Sequence, residues 1–116
     1  MGRNLESQRA MNSEQLAQRI KMGDHLDVER QVEHFAVFAV RANAVAAKVA
    51  LTAAGFDASI VRRGWSKFEV RARQTTSLDT STVDGFVCQV FSIVETYRGA
   101  YDGWSGSFAV SPREQE

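Results

Sequence analysis

The sequence predicts an α+β fold in which an antiparallel four-stranded sheet packs against helices, and three segments carry this prediction. Residues 67–73 alternate between apolar and charged side chains, as a strand with one buried face does. Residues 83–97 place apolar side chains every three or four positions, which is typical of an amphipathic helix. Residues 31–40 form an apolar run rich in Val and Phe, which favours a central strand partly covered on both faces.

The first predicted elements are a short helix and this central strand. Residues 12–22 predict the helix, because Asn12 or Ser13 can cap its start and Gly23 can end it. The strand follows a polar connector, and its side chains alternate between two faces. One face holds Phe35 and Val37, and the other holds His34, Ala36 and Phe38.

A second helix is predicted in the stretch RANAVAAKVALTAAGF, which begins at residue 41. Alanine is the strongest helix former and is abundant here. Val45, Val49 and Ala53 recur at helical spacing and form one apolar stripe. Gly55 can end the helix in a left-handed backbone conformation.

Two further strands, at residues 57–64 and 66–73, are predicted to form a hairpin with its turn near Gly64 and Trp65. The second of these strands alternates clearly, so we expect it to be half-buried with a charged outer face. Its apolar face would hold Phe68, Val70 and Ala72, and its charged face Lys67, Glu69, Arg71 and Arg73.

The last predicted elements are a long helix and a final strand. Asp79 or Thr80 can cap the helix, and Gly99 can end it through the left-handed conformation. The final strand would then place Trp104, Phe108 and Val110 on one side.

The element order is helix followed by strand-helix-strand-strand-helix-strand. This order is that of a ferredoxin-like βαββαβ sandwich with an extra N-terminal helix. We expect one such domain over residues 12–110, with flexible segments at residues 1–11 and 111–116.

Composition limits the classes of function. The 116 residues include 14 basic and 14 acidic side chains, so overall charge favours neither a nucleic-acid nor a membrane partner. The single cysteine, Cys88, cannot form an intramolecular disulfide. Neither a signal peptide nor a membrane-spanning run is found, so we expect a cytoplasmic protein.

Motifs for metal binding and catalysis are absent from the sequence. The only histidines, His25 and His34, are nine positions apart, and no second cysteine accompanies Cys88. The sequence holds no nucleophile elbow, phosphate-binding loop or dinucleotide fingerprint. We therefore expect no catalytic residue, no metal and no cofactor, and an enzyme or small-molecule-binding domain is the least favoured class.

Two aromatic side chains, His34 and Trp65, each have two possible structural interpretations. His34 is expected to be a core histidine if it faces the helices, or part of a binding surface if it lies on the open side of the sheet. Trp65, at a hairpin tip, either folds back over the sheet or is exposed as an anchor for a partner, because Trp is enriched at interface hot spots.

Nucleic-acid binding is the alternative function that the fold suggests, because RNA-recognition motifs share this element order. The basic candidates lie on and beside the charged strand, and Glu69 among them favours a solvated surface instead. These candidates are Arg62, Arg63, Lys67, Arg71 and Arg73.

The stretch GAYDGW, which starts at Gly99, has a structural explanation in part. Asp102 and Gly103 suit a tight bend or bulge at the start of a strand, and Trp104 would then pack against the last helix. That explanation does not require Tyr101 and Asp102 together.

Several of these segments resemble the regulator of ribonuclease activity B family, whose members are protein inhibitors of the endoribonuclease RNase E. YDGW at residues 101–104, followed by the aromatic Phe108, is similar to the family's C-terminal signature. VEH at residues 32–34 is similar to its first-strand motif, and GD at residues 23–24 and GF at residues 55–56 fall at matching places.

The resemblance covers residues 12–110 and implies a ferredoxin-like fold, no catalysis and a protein partner, namely an RNase E-type endoribonuclease. Unlike the strongly acidic family members with an acid-rich tail, this chain is neutral and its tail reads SPREQE. The expected partner-binding residues are Tyr101, Asp102, Trp104, His34 and Trp65, and the oligomeric state is left open.

Overall fold

A computed structural model describes residues 4–107 and residue 109. The elements run in the order α1 (Leu5–Lys21), β1 (Arg30–Phe38), α2 (Arg41–Ala53), β2 (Asp57–Arg63), β3 (Lys67–Thr76), α3 (Thr80–Thr96) and β4 (Ala100–Gly106). The strands form one antiparallel sheet of four, in the order β2-β3-β1-β4. The predicted α+β, ferredoxin-like arrangement with an extra N-terminal helix is confirmed.

Helix α1 begins at Leu5 rather than at residue 12, so most of the segment predicted to be flexible is helical. Asn4 caps the helix, because its side-chain oxygen accepts a hydrogen bond of 2.7 Å from the backbone N–H of Ser7. Asn12 and Ser13, the two alternative caps that the sequence suggests, both lie in the middle of the helix, and Asn12 is buried there. The inward face includes polar Gln8 and Asn12, so apolar periodicity could not locate this helix start.

The sheet has a helix-covered face and an open face. His34, Ala36 and Phe38 alternate onto the covered face and are almost fully buried, as the sequence predicts. Helices α2 and α3 pack on this side and complete the core with it. We define the open face by the outward side chains of β1 and β3, which are Glu33, Phe35, Val37, Lys67, Glu69, Arg71 and Arg73.

Helix α2 turns a different side to the core than its valine stripe predicts. Ala44, Ala47 and Leu51 are buried, whereas Val45 and Val49 are 37% and 63% exposed. Burial of two small alanines lets the helix approach the sheet closely, and this packing overrides the preference of the larger valines.

Helix α3 matches its predicted apolar stripe, and Val83, Val87 and Val94 along it are fully buried. Asp79 is its cap, since one carboxylate oxygen accepts a hydrogen bond of 3.2 Å from the backbone N–H of Thr82. Hydrogen bonds from Ser77 and Thr82 hold the pKa of the Asp79 carboxyl below its usual value.

The turn from α3 into β4 differs from the prediction at Gly99. Arg98, not Gly99, adopts the left-handed conformation, with φ at 62°. Gly99 is required for a different reason, because a Cβ atom at this position would overlap the Phe38 ring. Phe108 and Val110, predicted to extend the last strand's apolar side, lie outside the described residues.

A buried ionic cluster joins α1, the start of β1 and the end of β4. Arg30 and Arg19 donate to the two carboxylate oxygens of Asp24 at 2.7 and 2.9 Å. The same guanidinium groups donate to backbone carbonyls of Gly106 at 2.7 Å and Ser107 at 3.1 Å. Burial raises the pKa of Asp24, but hydrogen bonds from both arginines outweigh it, and the net pKa is lowered.

Candidate functional site

A bulge in β4 fixes the direction of the residues in the YDGW motif. Ala36 pairs with Tyr101 and Phe35 pairs with Gly103, so Asp102 is one extra residue between them. Gly103 has φ at 109°, a conformation that side-chain-bearing residues rarely adopt. As a result Tyr101 and Trp104 are both buried, while the Asp102 side chain is 55% exposed.

Tyr101 is anchored in the core through His34. The His34 Nδ1 atom and the Tyr101 hydroxyl share a hydrogen bond of 2.9 Å. Phe56 and Phe86 surround the imidazole with their rings at right angles to it, at centroid distances of 5.7 and 5.0 Å. Burial lowers the pKa of His34 to about 3, so the ring is neutral at pH 7. This confirms the reading of His34 as a core histidine.

Trp104 anchors the other side of the bulge to α1. Its indole N–H donates to the Asn12 side-chain oxygen at 2.9 Å, and the Gln8 amide donates to the same oxygen at 3.0 Å. The Arg19 guanidinium lies 5.6 Å from the centre of the indole ring, within cation–π range. Asn12 therefore supports the bulge from α1, a role that its sequence position, which suggests one of two possible helix caps, does not indicate.

Two surface grooves meet at Asp102. The first, about 770 Å³ in volume, runs between α1 and the open face. Its walls include Met11, Glu14, Lys21 and the ring of Phe35. The second lies at the end of the sheet between the β2–β3 hairpin and the end of α3. Asp102 is thus the exposed residue that both concave surfaces share.

The expected partner-binding residues therefore divide into two groups. Tyr101, Trp104 and His34 are at most 7% exposed, so they hold the bulge in place and do not present a surface. Asp102 is exposed between the grooves, and Trp65 at the hairpin tip is 94% exposed. Trp65 is therefore exposed and does not fold back over the sheet. Arg62 steadies the hairpin tip by donating to the Trp65 carbonyl at 3.0 Å.

The basic residues of the alternative nucleic-acid surface are largely paired with carboxylates. Glu69, nearly buried, accepts from Arg71 at 2.8 Å and from Arg63 at 3.1 Å. Arg73 lies 3.3 Å from Glu33 and 3.5 Å from Asp57.

Arg62 donates hydrogen bonds to the backbone carbonyls of Gly64 and Trp65 in the hairpin. Of the five basic candidates, only Lys67 has neither a hydrogen-bonding nor an ion-pair partner within residues 4–107 and 109. The open face is thus a charge-compensated surface rather than a cationic one.

Metal-binding and reactive groups are sparse in the part of the chain that the structure describes. No cluster of three or more His, Cys, Asp or Glu side chains occurs there. Cys88 is half-buried on α3, as expected for a small packing residue. Among the same residues, no helix has both the length and the apolar character needed to cross a membrane.

Comparison with known families decides the assignment. The family model for regulator of ribonuclease activity B matches residues 9–105. The chain belongs to the regulator of ribonuclease activity B family. No individual curated protein matches the chain. The family match begins inside α1 and ends inside β4, so it contains both anchors of the bulge, Asn12 and His34, as well as Asp102 and Trp65.

The family's description is one of regulation, and in this chain His34 has a structural rather than an exposed position. The buried His34 is enclosed by aromatic rings and Tyr101. It therefore has no exposed position from which to exchange protons with a substrate. The exposed features that this family member offers are the two grooves, Asp102 and Trp65.

Proposed function

We propose that this chain is a non-enzymatic regulator that binds an RNase E-type endoribonuclease and thereby modulates RNA processing and decay. The family match over residues 9–105 carries the proposal. The YDGW and VEH motifs lie within this match, and the structure brings them together at the bulge, where His34 contacts Tyr101.

The binding surface that we propose is centred on Asp102. A carboxylate between two grooves can pair with a cationic side chain of the enzyme, and Phe35 and Met11 offer apolar contact beside it. The nearest cation, Arg63, lies 4.0 Å from Asp102 and is itself half exposed, so the carboxylate is free to exchange this contact for one in a complex. Trp65 is proposed as a second anchor at the hairpin tip.

The bulge supports this surface through rigidity. Tyr101 and Trp104 are each fixed by a buried hydrogen bond, to His34 and to Asn12. Asp102 lies between these two fixed residues, so little conformational entropy is lost when it engages a partner. This arrangement gives Tyr101 and Trp104 a positioning role in the proposed interaction.

The experiment measures binding of the immobilised chain to a purified RNase E-type endoribonuclease after nuclease digestion of any RNA. We expect Asp102→Ala and Trp65→Ala each to weaken binding by about tenfold, as loss of an interface anchor does. Glu95→Ala, which removes an exposed carboxylate on α3, should bind like the wild type.

A cleavage assay completes the test, and we expect the chain to alter the enzyme's cutting of RNA while cutting none itself. Binding that disappears with the RNA, or equal binding by both site variants and the wild type, would contradict the proposed surface. In the first case the basic residues on and beside the open face would become the candidates.

A further inference from the structure

The two edges of the sheet are unlike each other. At the β4 edge, α1 lies alongside, joined through the hydrogen bonds of Arg19 to Gly106 and of Trp104 to Asn12. At the β2 edge, Asp57–Arg63 pairs with β3 on one side only. Within the described part of the chain, no loop or turn backbone hydrogen bond involves β2. An uncovered edge strand presents unpaired N–H and C=O groups that can pair with another strand.

The sequence of β2, DASIVRR, is charge-complementary to itself when two copies run antiparallel. A two-fold axis at Ile60, the middle residue, overlaps all seven residues of both strands. Directly opposite residues share a face in an antiparallel pair, and this register places Asp57 of one copy opposite Arg63 of the other. The two-fold symmetry produces that pair twice, once at each end of the overlap.

The positions of these charges suit such pairing. The side chains of Asp57 and Arg63 are 78% and 53% exposed, so each can extend across the edge in exchange for its present contact with Arg73 or Glu69. In the same register Ser59 lies opposite Val61, and Ile60 meets its symmetry mate. Charged residues on an edge strand normally disfavour pairing with another strand. Here the charges at the two ends are opposite in sign, so they attract each other across the proposed strand pair.

We infer that a second copy of this chain pairs with β2 in antiparallel fashion, joining two sheets into one of eight strands. The groove beside α1 stays open in this dimer, because β4 is separated from β2 by two intervening strands. The inference does not rest on the proposed ribonuclease-binding surface, although Arg63 in the overlap also lines the second groove and lies 4.0 Å from Asp102.

Sedimentation of the full chain over a range of concentrations tests the inference. We expect a concentration-dependent species with twice the 12.9 kDa mass of the chain. Asp57→Arg places like charges opposite each other at both ends of the overlap, and it should raise the dimer dissociation constant by about tenfold or more. Glu95→Arg makes the same change in charge on α3, away from this edge, and should leave the dissociation constant unchanged.

Mixing two variants gives the decisive readout. Arg63→Asp alone should also weaken the dimer, because it opposes two carboxylates. An equimolar mixture of Asp57→Arg and Arg63→Asp restores an opposite-charge pair at both ends, so it should form a heterodimer more tightly than either variant forms a homodimer. Circular dichroism and a thermal melt establish that each variant is folded, and Asp57→Arg alone still tests the edge if Arg63→Asp is not.

A wild type that remains monomeric at every concentration would overturn the inference. A dimer that Asp57→Arg leaves equally tight would overturn it as well, because the dimer would then use another surface. Failure of the mixed variants, both folded, to associate would exclude the register centred on Ile60.

Discussion

The His34 imidazole and the Tyr101 hydroxyl share a 2.9 Å hydrogen bond inside the protein, although the two residues are 67 positions apart. This contact joins the central strand β1 to the bulge of β4 on the face covered by helices. Burial of the ring, which is only 1% exposed, favours its neutral form because a charged imidazolium would lose its solvation there.

Stability should therefore fall in mildly acidic solution. Burial lowers the pKa of His34 from 6.5 to about 3, so the unfolded chain takes up a proton at a pH where the folded protein does not. As pH falls from 6.5 towards 3, His34 alone should reduce the free energy of unfolding by about 1.4 kcal/mol per pH unit. The slope is about half of this at pH 6.5 and vanishes well above it, where the ring is neutral in both states. Urea unfolding at pH 7 and pH 5 measures the difference.

Substitution of His34 isolates this effect. His34→Gln keeps a side chain able to hydrogen-bond Tyr101 but cannot be protonated in this range, so the slope between pH 7 and pH 5 should decrease. An unchanged slope in His34→Gln would mean that another group governs the loss of stability.

Neutralising Asp24 should be among the most damaging single changes. Asp24→Asn leaves the buried guanidinium groups of Arg19 and Arg30 without a counter-charge. Removal of one partner from such a buried group costs about 3–5 kcal/mol. Chemical denaturation measures the loss, and Asp27→Asn, an exposed change in the same loop, should lie within about 0.5 kcal/mol of the wild type. Similar stabilities for the two variants would contradict the assigned role of the cluster.

Two glycines should respond in opposite directions to the same substitution. A Cβ at Gly99 would overlap the Phe38 ring, so Gly99→Ala should destabilise the protein by about 1–3 kcal/mol through overpacking. Gly85 lies on α3 with no atom near its missing Cβ, so Gly85→Ala should stabilise the helix by about 0.5–1 kcal/mol. Thermal melts of the two variants test this contrast, and destabilisation by both would show that the α3 surface is less open than described.

Glu69 should control whether the basic residues can bind nucleic acid. It neutralises Arg63 and Arg71 through contacts of 3.1 and 2.8 Å. Glu69→Gln removes that negative charge, so the variant should bind single-stranded RNA more tightly than the wild type and with a steeper dependence on salt. A mobility-shift series at increasing salt measures both quantities. Tight, salt-sensitive binding by the wild type itself would instead favour the nucleic-acid alternative.

The sequence contains strong signals for the sheet and for α3, and it predicts them well. The alternation around Val70 follows from strand geometry, and the spacing of Val83, Val87 and Val94 follows from helix geometry. Both patterns can be recognised in a single sequence. The start of α1 could not be predicted from apolar periodicity, because its buried positions include Gln8 and Asn12, whose burial depends on the distant Trp104 indole. The outward position of the α2 valines could not be predicted either, because the sheet packs against the side of the helix that carries the alanines.

The candidate site was predictable as a region but not as a surface. The motif at residues 101–104 marks the right segment. However, the regular alternation of side chains along a strand does not predict a bulge that buries both Tyr101 and Trp104 and leaves Asp102 exposed. Trp65 could be placed at a hairpin tip, whereas its exposure required coordinates. The pairing of Arg63 with Glu69, six positions away, depends on how two strands meet.

The ionic cluster around Asp24 has a consequence for the order in which the protein is assembled during translation. Helix α1 precedes α3 and β4 in the chain, so it leaves the ribosome before the elements against which it packs. Arg19 cannot reach the Gly106 carbonyl until that residue has emerged, so α1 must dock after the rest of the domain exists. Three of its four buried side chains, Gln8, Asn12 and Arg19, are polar, so the face of the undocked helix that is later buried offers few apolar side chains for aggregation.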